Sequence, residues 1–278
     1  MFATIGHTFS LIKQSWGVLM QDRKLILFPI MAGVALLITA GIFAGIAATT
    51  GSLDRLDAAA AGNEGEATPV DYAISALLLV TTYFIVMFFN AALIATAMER
   101  LRGRPATVKY GLSKASSHVP AILGWAIIAA TVGLILNAIR ERTDGFLGQI
   151  AVAIAGGVWA YMTFFVVPVL IVENLGPIAA IKRSGSLLKE TWGNQVTANF
   201  GFTFLYIAAA AVALIPAYLL FTLSPVLGFT VGIALIALTI GTVQALEGIF
   251  KAALYDFATG STPMGFEQAD MRSAYRAL

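Results

Sequence analysis

The sequence contains no cysteine, only two histidines and few charged residues among its 278 positions. The absence of cysteine excludes disulfide bonds, thiolate metal ligands and a cysteine nucleophile. His7 and His118 could not form a zinc site without carboxylate ligands. Charged residues make up 12% of the chain and hydrophobic residues 59%, a composition typical of integral membrane proteins.

Six apolar runs are long enough to cross the ~30 Å hydrocarbon layer as helices, which takes about 20 residues each. These runs are Ile26–Thr49, Tyr72–Met98, Val119–Ile139, Phe146–Val172, Ala198–Leu220 and Val226–Leu246. None of them has a charged side chain near its centre. The first run is longer than the roughly 7–15 apolar residues of a cleavable signal, so we expect it to be retained.

Lysine and arginine are distributed unevenly between the two sides that these runs define. With a cytoplasmic N-terminus, all of the 17 cations except Arg55, Arg140 and Arg142 lie on the cytoplasmic side. Short loops rich in lysine and arginine stay in the cytoplasm. We therefore predict a multi-pass protein of the cell (inner) membrane, with both termini cytoplasmic and the acidic loop 51–71 outside.

An internal repeat relates three parts of the chain. Ser10–Gly17 (SLIKQSWG) matches Ser186–Gly193 (SLLKETWG), and Leu112, Lys114 and Ser116 fit a weaker third copy. Glu99, Glu173 and Glu247 follow the second, fourth and sixth runs at equal intervals. The sequence thus predicts an all-α membrane protein, a single domain over 1–278. Its three parallel helical-hairpin repeats would lie at about 1–105, 106–176 and 177–263, before a cytoplasmic tail at 264–278.

Amphipathic helices are predicted on the cytoplasmic side, before each outward-going span. In the first of them, apolar residues recur at helical spacing: Phe2, Ile5, Phe9, Ile12, Trp16 and Leu19. This pattern fits a helix in the membrane interface. It fits equally a helix that packs on neighbouring parts of the protein.

Several stretches carry a resemblance that covers nearly the whole chain. They are Ser15-Trp16-Gly17-Val18-Leu19 with Leu27-Phe28-Pro29, Val167-Pro168-Val169 with Glu173-Asn174-Leu175-Gly176-Pro177, Lys182-Arg183-Ser184 with Trp192-Gly193, and Ala252-Ala253-Leu254-Tyr255 before Pro263. With these stretches the chain resembles an uncharacterised family of six-helix membrane proteins of bacteria and archaea. The layout is more distantly similar to membrane domains attached to some glycerophosphodiester phosphodiesterases. The resemblance implies a fold and no catalytic residues.

Glu99, Glu173 and Glu247 are the most distinctive candidate residues. A carboxylate at the C-terminal end of a helix faces the negative end of the dipole, which is unfavourable by about 0.3–1 kcal/mol. We expect compensation by cytoplasmic cations such as Arg100, Arg102, Lys182 or Lys251. The alternative is a ring of carboxylates that holds a cation or a proton.

Polar and small residues within the runs have structural and functional interpretations. Asn90, Asn137, Thr163, Asn199 and Gln244 suit hydrogen bonds between helices. Gln244, Asn90 and Asn199 are also candidates for a polar solute path, and Gln244 shares a helix face with Glu247. The GxxxG pairs Gly41/Gly45 and Gly228/Gly232 indicate close helix packing. Pro168 and Pro216 indicate a kink or, alternatively, a broken binding helix.

A basic patch follows the second run and favours contact with anionic lipids. It consists of Arg100, Arg102, Arg104, Lys109 and Lys114. No catalytic motif is recognisable, and His118 with Ser116 and Ser117 is too little for a triad, so we expect neither an enzyme nor a cofactor, metal or nucleic-acid partner.

Two functions remain open. The first is binding of lipid or a partner protein at the cytoplasmic face, and a homo-oligomer or a membrane protein partner would fit it. The second is a channel or small-solute transporter with Glu247 and Gln244 near the path.

Overall fold

The computed structural model describes residues 2–60, 68–143, 145–192, 199–268 and 271, and every regular element in these ranges is helical. The helices are α1 (Phe2–Gln21), α2 (Leu27–Thr49), α3 (Ser52–Ala60), α4 (Pro69–Leu101), α5 (Val108–Ser116), α6 (Val119–Arg142), α7 (Phe146–Thr163), α8 (Val166–Val172), α9 (Pro177–Trp192), α10 (Asn199–Leu223) and α11 (Pro225–Ala258). A 3₁₀ turn, Arg23–Ile26, joins α1 to α2.

Within these ranges, six helical segments are long and apolar enough to cross a membrane. They are Arg23–Thr49, Pro69–Leu101, Val119–Arg142, Gly148–Val172, Leu205–Leu223 and Pro225–Ala258. The prediction of six membrane-spanning helices is confirmed in length and composition. At 1.5 Å per residue, the 33 residues of α4 and the 34 of α11 extend about 50 Å. Each helix is therefore about 20 Å longer than a hydrocarbon layer of ~30 Å.

The fourth span is interrupted between α7 and α8. Helix α7 ends at Thr163 and α8 begins at Val166, with Pro168 two residues further on. Because proline has no N–H, Pro168 cannot donate the helical hydrogen bond to the carbonyl of Phe164. Between the two helices, the Phe165 N–H donates to a side chain of another helix, the buried Ser184 Oγ of α9, at 2.9 Å. Pro216, by contrast, lies inside an uninterrupted α10.

A hydrophobic core of buried residues lies at one end of the helix bundle. It contains the C-terminal half of α4, most of α8, the end of α11 and one side of α1, and α4 packs against α2, α5, α6, α8 and α11. Representative fully buried members are Leu19, Ile94, Phe165, Leu170 and Tyr255. We call this end, formed by α1, α5, α9 and the C-terminal ends of α4, α8 and α11, the basic face. The other end is the opposite face.

Helices α1, α5 and α9 of the basic face each bury one side. Helix α1 buries Leu11, Ser15, Val18 and Leu19; α5 buries Gly111 and Ala115; α9 buries Ala180, Ser184, Leu187 and Leu188. These residues recur every three or four positions, so one stripe of each helix packs inward. Their location at a membrane interface and the threefold repeat, with its unit boundaries, stay predictions.

Glycines allow α4 to approach its neighbours closely. A Cβ atom at Gly111 of α5 would overlap Thr96 and the carbonyl of Ala92 on α4, and one at Gly248 of α11 would overlap Leu93. Side chains at these two positions would push the helices apart. Substituting either glycine should therefore disturb the core.

The two predicted GxxxG pairs behave differently. Gly228 and Gly232 of α11 are buried against Phe221 and Ala217 of α10, which fits close packing within the chain. A Cβ at Gly41 or Gly45 of α2 would meet nothing within 4 Å. Gly41 and Gly45 therefore make no close contact with another helix within the described ranges.

An ion pair connects α3 to α4 at the opposite face. The Arg55 guanidinium donates to both oxygens of Asp71 at 2.8 Å, and Asp71 is almost fully buried. Thr68 and Asp71 also form a reciprocal capping box at the start of α4. These contacts join the first two spans on this side.

Some sequence predictions fall on positions outside the described residues. They concern the side chains of Phe2, Ile5, His7 and Phe9 in α1, loop residues 61–67, the side chains of Trp192 and Asn199, position 193, and Arg272 and Arg276 in the C-terminal tail.

Candidate functional site on the basic face

Ion pairs hold all three of the glutamates singled out in the sequence. The shortest N–O distances are 2.5 Å for Glu99–Arg104, 3.0 Å for Glu173–Arg183 and 2.7 Å for Glu247–Lys251. The expectation that cations of the chain neutralise these carboxylates is confirmed. Their role in function stays a prediction.

The three glutamates are not equivalent in helix position. Glu99 lies in the last turn of α4 and Glu173 directly follows α8. The expectation that Glu247 also ends its helix is wrong, because α11 continues to Ala258. The extra turns form because their apolar side chains, including Ile249 and Leu254, are buried in the core. Lys251 is one turn beyond Glu247, an order of charges that stabilises helices.

Glu173 connects three helices. Arg183 of α9 donates through Nε to both Glu173 oxygens at 3.0 and 3.1 Å, and Tyr255 Oη of α11 donates to one of them at 3.0 Å. The Tyr255 ring also packs edge-on against Phe165 at the break in the fourth span. This cluster therefore fixes α8 and α9 against the end of α11.

A second cluster surrounds Glu247. Tyr206 Oη of α10 donates to Glu247 at 3.2 Å, and Lys251 Nζ lies 5.5 Å from the centre of the Phe164 ring. Gln244 is half-buried one turn before Glu247. The glutamate thus connects α10 to α11, and its lysine reaches the interrupted fourth span.

Asn90 and Gln244 are the two residues of the candidate polar path whose side chains the structure describes. Asn90 is half-buried, and its Oδ1 would lie 3.7 Å from a Cβ atom at Gly248. Asn90 therefore lies beside the same segment of α11 as Glu247 and Gln244. This arrangement brings two of the three candidate path residues to one region.

The predicted basic patch divides into two groups. Its three arginines form ion pairs, Arg100 with Asp22 at 3.2 Å, Arg102 with Asp256 at 2.5 Å and Arg104 with Glu99. In the described part of the chain, the ammonium groups of Lys109 and Lys114 form no ion pair. The arginines therefore stabilise the fold, and the two lysines take no part in these ion pairs.

Sequence reasoning missed Asp256, the most buried carboxylate of the basic face. It is 0% exposed, and Arg102 donates to both of its oxygens. These hydrogen bonds, opposed by burial, raise the pKa of Arg102 above its ordinary value. A signal was present, because Asp256 is an isolated acid in the apolar stretch that begins at Ala252.

The cations left without an ion pair are distributed over four elements, α1, the 3₁₀ turn, α5 and α9. Among described residues of the basic face they are Lys13, Arg23, Lys24, Lys109, Lys114, Lys182 and Lys189. All except the half-buried Lys114 are exposed. We call this set the free cations. Because they take part in no ion pair within the described residues, they give the basic face a surplus of positive charge.

His118 makes local contacts at the end of α5. Its Nδ1 lies 2.8 Å from the carbonyl oxygen of Lys114 and 3.0 Å from Ser117 Oγ. A catalytic triad would instead require an orienting carboxylate at this nitrogen. The observed contacts close the turn between α5 and α6.

Comparison with known proteins assigns most of these residues to one family. A model described as a family of unknown function, DUF6159, matches residues 70–265, more than half of the chain. The chain belongs to this family. The DUF6159 match begins at the start of α4 and includes Glu99, Glu173, Glu247 and Asp256, whereas α1 and α2 precede it. In comparisons with curated proteins and with solved structures, nothing matches the chain.

Proposed function

We propose that the chain is a non-catalytic, multi-pass membrane protein whose basic face binds lipid or a partner protein. The surplus of free cations carries this proposal. Five carboxylates of the basic face are paired internally, with three arginines of the patch, Arg183 and Lys251. Cations that the fold does not use are available to an external anion. The non-catalytic part of the proposal rests on the missing motifs and on the local contacts of His118.

The depth of the basic face supports an external ligand. Helices α4 and α11 exceed the hydrocarbon thickness by about 20 Å, and the free cations surround their C-terminal ends. Side chains at this level meet lipid headgroups and the adjoining water. By the positive-inside rule this side is the cytoplasmic one, in a cell (inner) membrane. A membrane protein partner or a second copy of the chain could share the surface.

The second candidate function is a channel or small-solute transporter. It is favoured by the interrupted fourth span, which lies against the Glu247–Lys251 pair. Discontinuous helices line the binding sites of many transporters. The pairing of all three glutamates with cations argues against an open carboxylate ring, so we place this function second.

Reconstitution of the purified protein separates the two functions. The binding function predicts that lipid or protein co-purifies, and that replacing all seven free cations by glutamine removes it. Replacing Arg140 and Arg142 on the opposite face is the control and should leave it bound. Solute or ion flux in liposomes that Glu247→Gln abolishes, without any bound ligand, would instead establish transport.

A further inference from the structure

Helix α1 presents a cation and an aromatic ring on its outer side. Leu11, Ser15 and Leu19 are buried, whereas Lys13 is exposed and Trp16 is 45% exposed. Lys13 and Trp16 are three residues apart and so share one face of the helix. Tryptophan with an adjacent cation is the combination that membrane interfaces favour, because the ring is amphipathic and the charge contacts headgroups.

Two more cations follow at the point where the chain enters its first span. Arg23 and Lys24 are exposed on the 3₁₀ turn, and Leu27 and Ile30 of α2 are 44% and 42% exposed. With a rise of about 2.0 Å per residue, Arg23 lies about 8 Å from Leu27 along the turn. Exposed apolar residues mark the start of the hydrocarbon layer, so the two cations lie at headgroup depth.

The neighbouring carboxylate does not neutralise these cations. Asp22 forms an ion pair with Arg100, and its Oδ1 also accepts a hydrogen bond from the Lys24 backbone N–H at the start of the turn. In the described ranges, Lys13, Arg23 and Lys24 form no ion pair. Asp22 is thereby held by α4, and the charges of its neighbours remain available.

We infer that Lys13 and Trp16 of α1, with Arg23 and Lys24 of the following 3₁₀ turn, bind the headgroups of anionic phospholipids in the leaflet at the basic face. This inference deepens the proposed function by naming the ligand and the place where it binds. It also moves the lipid contact away from the arginines of the basic patch, which the fold uses for ion pairs. The cations attract the phosphate, and the Trp16 ring lies at the level of the glycerol and upper acyl chains.

Fluorescence quenching in vesicles measures this binding directly. The protein is reconstituted in phosphatidylcholine that contains either brominated phosphatidylglycerol or brominated phosphatidylcholine. The Trp16 contribution is the difference between the wild-type protein and Trp16→Phe. We expect the brominated anionic lipid to quench Trp16 more strongly, with a preference of about fivefold per cation. Raising the salt concentration to 1 M should reduce the preference, because the Debye length falls from about 10 to 3 Å.

Matched double variants locate the site. Arg23→Gln with Lys24→Gln should lose most of the preference, whereas Lys182→Gln with Lys189→Gln, which removes the same charge from α9, should retain it. All these side chains are exposed, and an unchanged circular dichroism spectrum verifies folding. An equal loss in both variants would overturn the inference and leave the proposed function standing. An absence of preference in the wild-type protein would also overturn it, and a co-purifying protein would then identify the partner of the basic face.

Discussion

The ion pair between Asp256 and Arg102 allows the most quantitative prediction. Asp256 is fully buried and accepts hydrogen bonds at both oxygens, whereas the Arg102 side chain is 30% exposed. Asp256→Asn removes the negative charge and turns an amide donor toward the guanidinium. A hydrogen bond to a charged group contributes about 1.5–3 kcal/mol, and breaking a buried ion pair costs about 3–5 kcal/mol. Because water can reach the exposed part of Arg102, we expect the free energy of unfolding to fall by about 2–3 kcal/mol.

Titration of the purified protein with sodium dodecyl sulfate in mixed micelles, followed by circular dichroism, measures this change. Asp22→Asn is the matched control, since its partner Arg100 is 33% exposed and Asp22 itself is 12% exposed. Asp22→Asn should destabilise the protein less than Asp256→Asn does. Combining Asp256→Asn with Arg102→Gln should cost less than the sum of the single changes, because both remove one interaction. A loss no larger than that of Asp22→Asn, or full additivity, would refute the reasoning.

Three further predictions address the clusters, the packing and the topology. Glu173→Gln should lower the free energy of unfolding by about 1–3 kcal/mol, and Tyr255→Phe, which removes one hydrogen bond, by about 0.5–1.5 kcal/mol; thermal unfolding of the two variants checks the order. Gly111→Ala should lower the unfolding midpoint because its Cβ overlaps α4, whereas Gly17→Ala, with nothing within 4 Å, should not; equal midpoints would contradict the packing. A topology reporter at the C-terminus should be cytoplasmic and one within 51–71 exterior, and an exterior C-terminus would rule out the orientation.

The six spans could be predicted because the membrane requires an apolar run of a fixed minimum length. Helix ends could not be predicted in the same way. The run ending at Leu246 marks where apolar composition gives way to Glu247, but α11 continues because Phe250 and Leu254 are buried in the core. The break at Phe164 depends on Pro168 together with a hydroxyl from α9, and only the proline is visible locally.

The pairing of the glutamates followed from elementary electrostatics, but most partners did not. Lys251 was among the expected cations and does pair with Glu247, one helical turn away. Arg102 was expected to pair with a glutamate and instead pairs with Asp256, more than a hundred residues along the chain. Such a contact depends on how α4 and α11 pack. Local sequence patterns do not contain that information.

The division between paired and free cations is tested most directly by two double variants with the same loss of charge. One replaces the free cations Arg23 and Lys24 by glutamine, and the other replaces the paired residues Arg102 and Arg183. For each, native mass spectrometry of the purified protein measures bound lipid or protein, and thermal unfolding measures stability. We predict that the free-cation variant loses the ligand and keeps its unfolding midpoint, whereas the paired-arginine variant loses several degrees of stability. Equal ligand loss at an unchanged midpoint in both variants would contradict this division.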